Sequence, residues 1–469
     1  MRQQLAEWDQ AGREQAAIRA AEQHLMQPWP AAEDIGAEAR MYLEQAEGIM
    51  VEDGAGNRLI DGPAGMWCVN LGHRHEGIAR VLYNQAMELS YCSPWYTMSK
   101  QAVELSQRLA AHAPGDLNHV FFTTGGSSAV ETALRFMQFY NNVLGRPEKK
   151  RIVTRGGAYH GSTYLSASMN ARPRDGDWMD QARDLVLHLS EPKPAPGLDA
   201  AGQRALTARL AQEFRDLIAR EGAASIGAFV AEPVQASGGV VIAPEGYLRE
   251  MRQICAEHDI LYISDEVVTA FGRLGHVFAS EAVFGIQPDM ITFAKGVTAG
   301  YFPLGGVMIS ERLLERIRQS NHPEACFAHG LTYTSHPIGC AVALKVLDLL
   351  EAGDLERVRR LEPLFRARLE SLRDLPIVKE VRSIGLMACV ELATGKSDAA
   401  SLAIEQKMGK RVDLHCQKLG LLVRPLINMC VISPPFIIDE AVIERMVAIL
   451  REGILATIAD LQAEGELPG

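Results

Sequence analysis

The chain has 469 residues, 47% apolar and 22% charged, with a formal net charge of -11. That is the make-up of a globular protein with material for one large or two to three ordinary domains. It argues against nucleic-acid binding, because the densest basic run is only EKKR at 148–151, and no apolar run approaches the roughly 20 residues needed to span a bilayer.

The first thirty residues carry Arg2, Glu7, Asp9, Arg13 and Glu14 and no apolar stretch, so no secretory leader is expected. Cys68, Cys92, Cys255, Cys326, Cys340, Cys389, Cys416 and Cys430 are scattered without a CxxC pair. That spacing fits reduced thiols in a cytoplasmic protein rather than a disulfide framework. No metal is expected.

Residues 48–62, GIMVEDGAGNRLIDG, are strand-like. Between about 100 and 310 helix and strand patterns alternate. Val103, Leu105 and Leu109 suit one helix face, and Ser127 to Tyr140 a second, with Val130, Ala133, Leu134 and Met137 inward. VFF at 120–122, RIVT at 151–154, SIGAFVAE at 225–232, ILYISDE at 260–266, MITFAK at 290–295 and GGVMIS at 305–310 are strands. Leu248, Met251, Ile254 and Cys255 mark a helix between two of them. SEPKPAPGLDAAG at 190–202 is a surface loop. Apolar strands separated by helices imply an α/β fold around a mostly parallel sheet. From about 340 onward, long amphipathic helices surround short strands such as LMACVEL at 386–392, ending in a helix near 439–462. The expected organisation is an N-terminal segment, 1–64, packed with a small α+β domain, 336–469, beside a large domain, 65–335.

Ligands of an open parallel sheet gather beyond the carboxyl ends of its strands. Three features arrive there. TTGGSSAVETALR at 123–135 turns on glycines into a helix, which suits an anion cradle. Asp265 ends an apolar strand in LYISDEVVTAFGR, and Lys295 ends another in DMITFAKG. Taken singly, each has an ordinary explanation: a turn with Ser127 as helix cap, a structural carboxylate, a lysine snorkelling to the surface. Together they supply a phosphate site, a carboxylate for a pyridinium nitrogen and a lysine for a Schiff base, the needs of pyridoxal phosphate.

With these residues in place, the chain resembles the class III pyridoxal-phosphate aminotransferases of fold type I, and among them the omega-amine:pyruvate type. AYHGST (158–163), AEPVQASGGV (231–240), SDEVVTAFGR (264–273), ITFAKG (291–296) and HGLTYTSHP (329–337) carry the resemblance. It implies a seven-stranded-type sheet in the large domain. It also implies that Lys295 binds the cofactor as an imine and shuttles the proton, while Asp265 partners the ring nitrogen. Gly126 and Ser127 would cradle the phosphate, and Tyr159 and Val267 would cover the two ring faces. Thr332 would reach the phosphate from a second subunit, so a homodimer, or a dimer of dimers, with shared sites is implied. By the same resemblance Arg424 binds the keto-acid carboxylate, and Trp67, Trp95 and Tyr159 line the substrate pocket. His160 and Glu232 are read as local structure.

The family's SGSE is GGSS here, which spares backbone donors but alters side chains. Val431 stands where related glutamate-binding enzymes carry an arginine, three residues before Pro434. The reaction implied moves an amino group from a primary amine, omega-amino acid or diamine to a keto acid, pyruvate, in a ping-pong cycle. A diaminopelargonate-type aminotransferase is the alternative, but it would carry Asp at Ser162 and a second Trp at Cys68. A non-transaminating relative, such as an aminomutase, racemase or decarboxylase, and a non-enzymatic binding protein on the same scaffold are further readings.

Overall fold

Seven strands build the central sheet: β1 (Leu117–Thr123), β2 (Arg151–Arg155), β3 (Val186–Leu189), β4 (Ile226–Ala231), β5 (Leu261–Asp265), β6 (Met290–Phe293) and β7 (Gly305–Ser310). The computed structural model describes residues 24–35, 40–171, 178–396 and 398–467. Residues 1–23, which carry most of the stretch read as lacking a leader, lie outside them. The spatial order is β1-β7-β6-β5-β4-β2-β3. β7 runs antiparallel to both of its neighbours, and the remaining pairs are parallel.

Every residue of β4 to β7 is buried, as expected when helices cover both faces of a parallel sheet. Side chains alternate between the two faces. Val230 and Ile263 point to one layer with Val130, Ala133, Leu134 and Met137 of helix α1 (Gly126–Val143). Phe229 and Tyr262 point to the other, with Leu248, Met251, Ile254 and Cys255.

Two local expectations need correcting. The N-cap of helix α1 lies two residues early, at Gly125 rather than Ser127. In the helix Lys100–His112, Leu105 and Leu109 are buried beside Ala102, whereas Val103 is 53% exposed. Positions 102, 105 and 109 follow the helical spacing of three and four, and 103 falls off that stripe.

Toward the carboxyl end, Val378–Ile384, Met387–Leu392, Met429–Ile432 and Arg424–Leu426 form an antiparallel sheet in that order. The helices Leu355–Glu370 and Ala399–Lys418 pack on it, and Glu440–Ala463 packs on those helices. The strands Leu43–Glu47, Met50–Asp53 and Arg58–Asp61 form a second sheet, completed by Leu421–Leu422 in parallel with the last of them. Arg273, fully buried, ties the β5 region to this part of the chain. It donates to the Leu386 carbonyl at 2.9 Å, the Pro434 carbonyl at 2.7 Å and Asn70 Oδ1 at 2.7 Å, and its guanidinium sits 4.9 Å from the Phe436 ring centre. Among the described residues no helix is long and apolar enough to cross a membrane.

Candidate functional site

The carboxyl ends of β1, β5 and β6 open on a cavity of about 370 Å³. Gly126, Ser127, Tyr159, Asp265, Val267 and Lys295 all line it. One wall is the start of α1. Its N-cap, Gly125, has no side chain to cap it, so among the described residues the N–H groups of its first turn, at the positive end of the helix dipole, are left for an anion. Beside them, a Cβ added to Gly125 would meet nothing within 4 Å, whereas one on Gly126 would press on Val267 at 3.1 Å. Open space in front of helix N–H groups fits a phosphate.

The AYHGST loop is pinned to this helix. Ser127 Oγ accepts the Ser162 N–H at 3.0 Å, and Glu131 Oε1 accepts the Thr163 hydroxyl at 2.8 Å and the Leu165 N–H at 2.9 Å. Tyr159 is thereby fixed at the cavity wall, its hydroxyl 3.0 Å from Ser162 Oγ.

Asp265 is buried at the end of β5. Its Oδ1 accepts the Val267 N–H at 3.1 Å, and its Oδ2 lies 2.7 Å from His160 Nδ1. His160 Nε2 lies in turn 3.1 Å from Thr154 Oγ1. The histidine that sequence reasoning set aside therefore orients the carboxylate. The next residue, Glu266, turns the other way. It accepts the N–H groups of Ala279 at 2.7 Å and Ser280 at 2.9 Å inside the core. Glu232 was also set aside, yet it lines the cavity, accepting the Tyr159 N–H at 3.1 Å and the Ala236 N–H at 3.2 Å. Burial pushes its carboxyl above the usual range. A titratable side chain inside a motif that borders the cofactor site was the available signal for both residues.

Lys295 follows the buried strand β6 through Ala294 and sits at φ 41°, a strained setting for a side-chain-bearing residue. Gly296 permits the turn, since a Cβ there would meet Asn70 Nδ2 at 2.4 Å. Burial pulls the Lys295 amine below its ordinary 10.5, opposed by the charges of Asp265, Cys68 and Glu232. A desolvated, strand-fixed amine of this kind is suited to carbonyl chemistry.

Trp67 and Arg424 stand just behind. Lys295 Nζ is 5.9 Å, and the Arg424 guanidinium carbon 4.9 Å, from the Trp67 ring centre. Trp95 and Thr332 are not brought into the cavity of their own chain. Trp95 is 79% exposed against Tyr96, and Thr332 is exposed too, its carbonyl accepting the Tyr91 hydroxyl at 2.9 Å. An anion cradle, a carboxylate and a partly buried amine, each on a different element, match the groups that pyridoxal phosphate requires.

A family model described as "Aminotransferase class-III" matches residues 34–454. The chain is 36% identical to an uncharacterised aminotransferase of Sinorhizobium fredii, over 90% of this chain and 92% of the relative. It is 34% identical to a mitochondrial gamma-aminobutyrate transaminase of Oryza sativa, over 90% and 83%. It is 33% identical to a putrescine–pyruvate aminotransferase of Pseudomonas aeruginosa, over 94% and 96%. Among solved structures, an (S)-enantioselective omega-transaminase of Thermomicrobium roseum superposes with a TM-score of 0.86 at 34% identity, covering 95% of this chain and 98% of the other. A PLP-bound aminotransferase mutant of Vibrio fluvialis gives 0.87 at 33% identity, covering 94% and 98%.

Proposed function

Because the chain belongs to the class III aminotransferases, which depend on pyridoxal phosphate, we propose that it moves an amino group from a primary amine, an omega-amino acid or a diamine to pyruvate. The transfer runs as two half-reactions in one site, in a cytoplasmic homodimer whose subunits share their sites. The observation that carries this reading is the meeting of the uncapped α1 start, Asp265 and Lys295 in one cavity. The relative named for putrescine and pyruvate supports the diamine donor and the acceptor. Val431, buried where glutamate-binding relatives are expected to carry arginine, supports an acceptor other than 2-oxoglutarate.

When bound, pyridoxal phosphate supplies an electrophilic carbonyl carbon and a protonated ring that takes up the electron pair left as a proton leaves the donor carbon. The α1 N-terminus with Gly126 and Ser127 holds the phosphate. Asp265, steadied by His160 and the Val267 N–H, would stabilise a protonated ring nitrogen by its negative charge. Tyr159 and Val267, both at the cavity wall, would hold the ring and exclude water. Lys295 would hold the cofactor through Nζ, and as a neutral amine that same Nζ would accept and give back the proton that the donor carbon releases. Arg424 grips the keto-acid carboxylate with its planar fork. Thr332 of a second copy closes the phosphate site, consistent with its exposure in a single chain.

The Lys295→Ala variant, loaded with cofactor and given an amine and pyruvate, is expected to show no multiple turnover. Wild-type-like alanine production by that variant would overturn the assignment.

A further inference from the structure

Ser237 lines the cavity and is partly exposed to it, yet no step of the proposed transfer uses it. Among the described residues its hydroxyl makes no hydrogen bond. The other hydroxyls of the lining are engaged. Ser127 Oγ accepts the Ser162 N–H at 3.0 Å, and the Tyr159 hydroxyl lies 3.0 Å from Ser162 Oγ. Thr298 Oγ1 donates to the Phe302 carbonyl at 2.5 Å, and Thr124 Oγ1 lies 3.5 Å from Ser128 Oγ. A free hydroxyl on the wall of a cavity is a group that a substrate can satisfy.

The backbone beneath Ser237 is fixed. Val234–Gln235 and Val241–Ile242 pair antiparallel, and residues 236–240 form the tip of that hairpin. Inside the tip the Ala236 carbonyl accepts the N–H groups of Gly239 at 3.1 Å and Val240 at 3.2 Å. From below, Glu232 Oε2 accepts the Ala236 N–H at 3.2 Å. From the carboxyl-terminal sheet, buried Arg382 donates through Nε to the Gly239 carbonyl at 2.8 Å, while its other nitrogens pair with Glu380 and Glu391. Met429 closes the far side, since a Cβ on Gly239 would meet its Sδ at 2.3 Å. A loop held at both ends presents its side chain in one place, which lowers the ordering cost on binding.

Position and charge decide what reaches this hydroxyl. Ser237 comes from the connection beyond β4 and Lys295 from the one beyond β6, with β5 between them. A donor whose amine reaches Lys295 therefore offers Ser237 its far end. The ionisable lining is Glu232, Asp265, His160 and Lys295. Lys295 is committed to the chemistry, and His160 to Asp265. The charge left to face a substrate is that of carboxyl groups, one of them at the base of the tip, and it favours a cationic end. A cation there in turn favours the ionised form of Glu232.

We infer that Ser237 is a specificity-determining residue for the donor: its hydroxyl accepts a hydrogen bond from the far ammonium of a diamine, and so selects diamines over monoamines of the same length. The inference rests on the reading of this cavity as a transaminase site.

The test compares donors that share one four-methylene chain and differ at its end: putrescine with an ammonium, pentylamine with a methyl, and δ-aminovalerate with a carboxylate. The kcat/KM of each is measured with pyruvate on wild-type, Ser237→Ala and Ser237→Thr holoenzyme. In a cycle of two half-reactions the donor kcat/KM is independent of the acceptor step, so any effect of the variants on pyruvate does not enter. Ser237→Ala should cost putrescine about 10-fold more than it costs pentylamine, the scale of one hydrogen bond to a charged group. It should cost δ-aminovalerate no more than pentylamine. Ser237→Thr keeps a hydroxyl and should keep most of the putrescine preference. Should Ser237→Ala fail to fold, Ser237→Cys, whose sulfur is a weak acceptor, should lower the ratio in the same direction. Equal losses for putrescine and pentylamine would overturn the inference. So would a loss largest for δ-aminovalerate, which would give the hydroxyl to a carboxylate. A wild-type enzyme that passes no amino group from any of these donors to pyruvate would instead sink the transaminase reading itself.

Discussion

At the carboxyl edge of the sheet, Asp265 is buried and held from two sides, and Lys295 follows by two residues a strand whose every residue is buried. In the loop after Tyr91, Trp95, Tyr96 and Met98 are 79%, 88% and 76% exposed, and Thr332, whose carbonyl accepts the Tyr91 hydroxyl, is exposed too. The two regions do different work. A strand end fixes a side chain by the whole weight of the sheet behind it, so a single chain completes that half of the site. A loop has no such support and exposes large apolar surface, which monomers rarely do in one contiguous patch. These exposed residues are where the proposed second copy would complete the site.

The largest effect that could break this contrast lies at the sheet edge. Asp265→Asn keeps the shape and removes the charge proposed to hold the ring nitrogen protonated. It should slow turnover by about 10²- to 10³-fold, the scale for losing one preorganised electrostatic contact. A loss smaller than about threefold would show that burial in a rigid strand does not mark the working carboxylate, and that His160 orients it for some other reason.

Next comes a test of the rim. Lys295→Ala and Thr332→Asp chains, co-expressed under two tags, should form mixed dimers in which one site has both native residues. Random pairing places such a site in half the dimers, giving about a quarter of wild-type activity where each parent has little, as isologous pairing requires. Activity no greater than the sum of the parents would mean that each chain builds its site alone.

A smaller effect sharpens the energetic side. Burial favours the neutral form of Lys295 in the folded apoprotein and so lowers its pKa below 10.5. Between that lowered value and 10.5 the unfolded chain binds the proton more tightly, so stability rises with pH across this window. Lys295→Met should therefore raise the melting temperature of the apoprotein most near neutral pH, and the gap should close as pH approaches 10.5. A gap independent of pH would place the ammonium in a solvated setting.

The same contrast explains what could be read from sequence. Buried parallel strands appear as apolar runs, so a charged residue at the end of one, as in YISDE or ITFAK, stands out. The start of α1 was legible only to within two residues, because the Ser127 hydroxyl, which would have capped the helix, instead accepts the Ser162 N–H. Val103 looked inward on composition, and the stripe through Ala102, Leu105 and Leu109 turned it outward. The contact between His160 and Asp265 spans 105 positions. It exists only because the loop after β2 passes over the end of β5, which no local pattern reports. Trp95 and Thr332 were visible by resemblance alone, since nothing within one chain brings them to the cavity.

The central claim is that Lys295 holds the cofactor and exchanges it for the donor amine. The most direct measurement follows the visible absorbance band of the lysine-bound cofactor while single amines are added without any acceptor. The account predicts that the band bleaches with amines, omega-amino acids or diamines, and returns when pyruvate is added. Protein reloaded with pyridoxal phosphate that shows no such band, or a band that no primary amine bleaches, would contradict it.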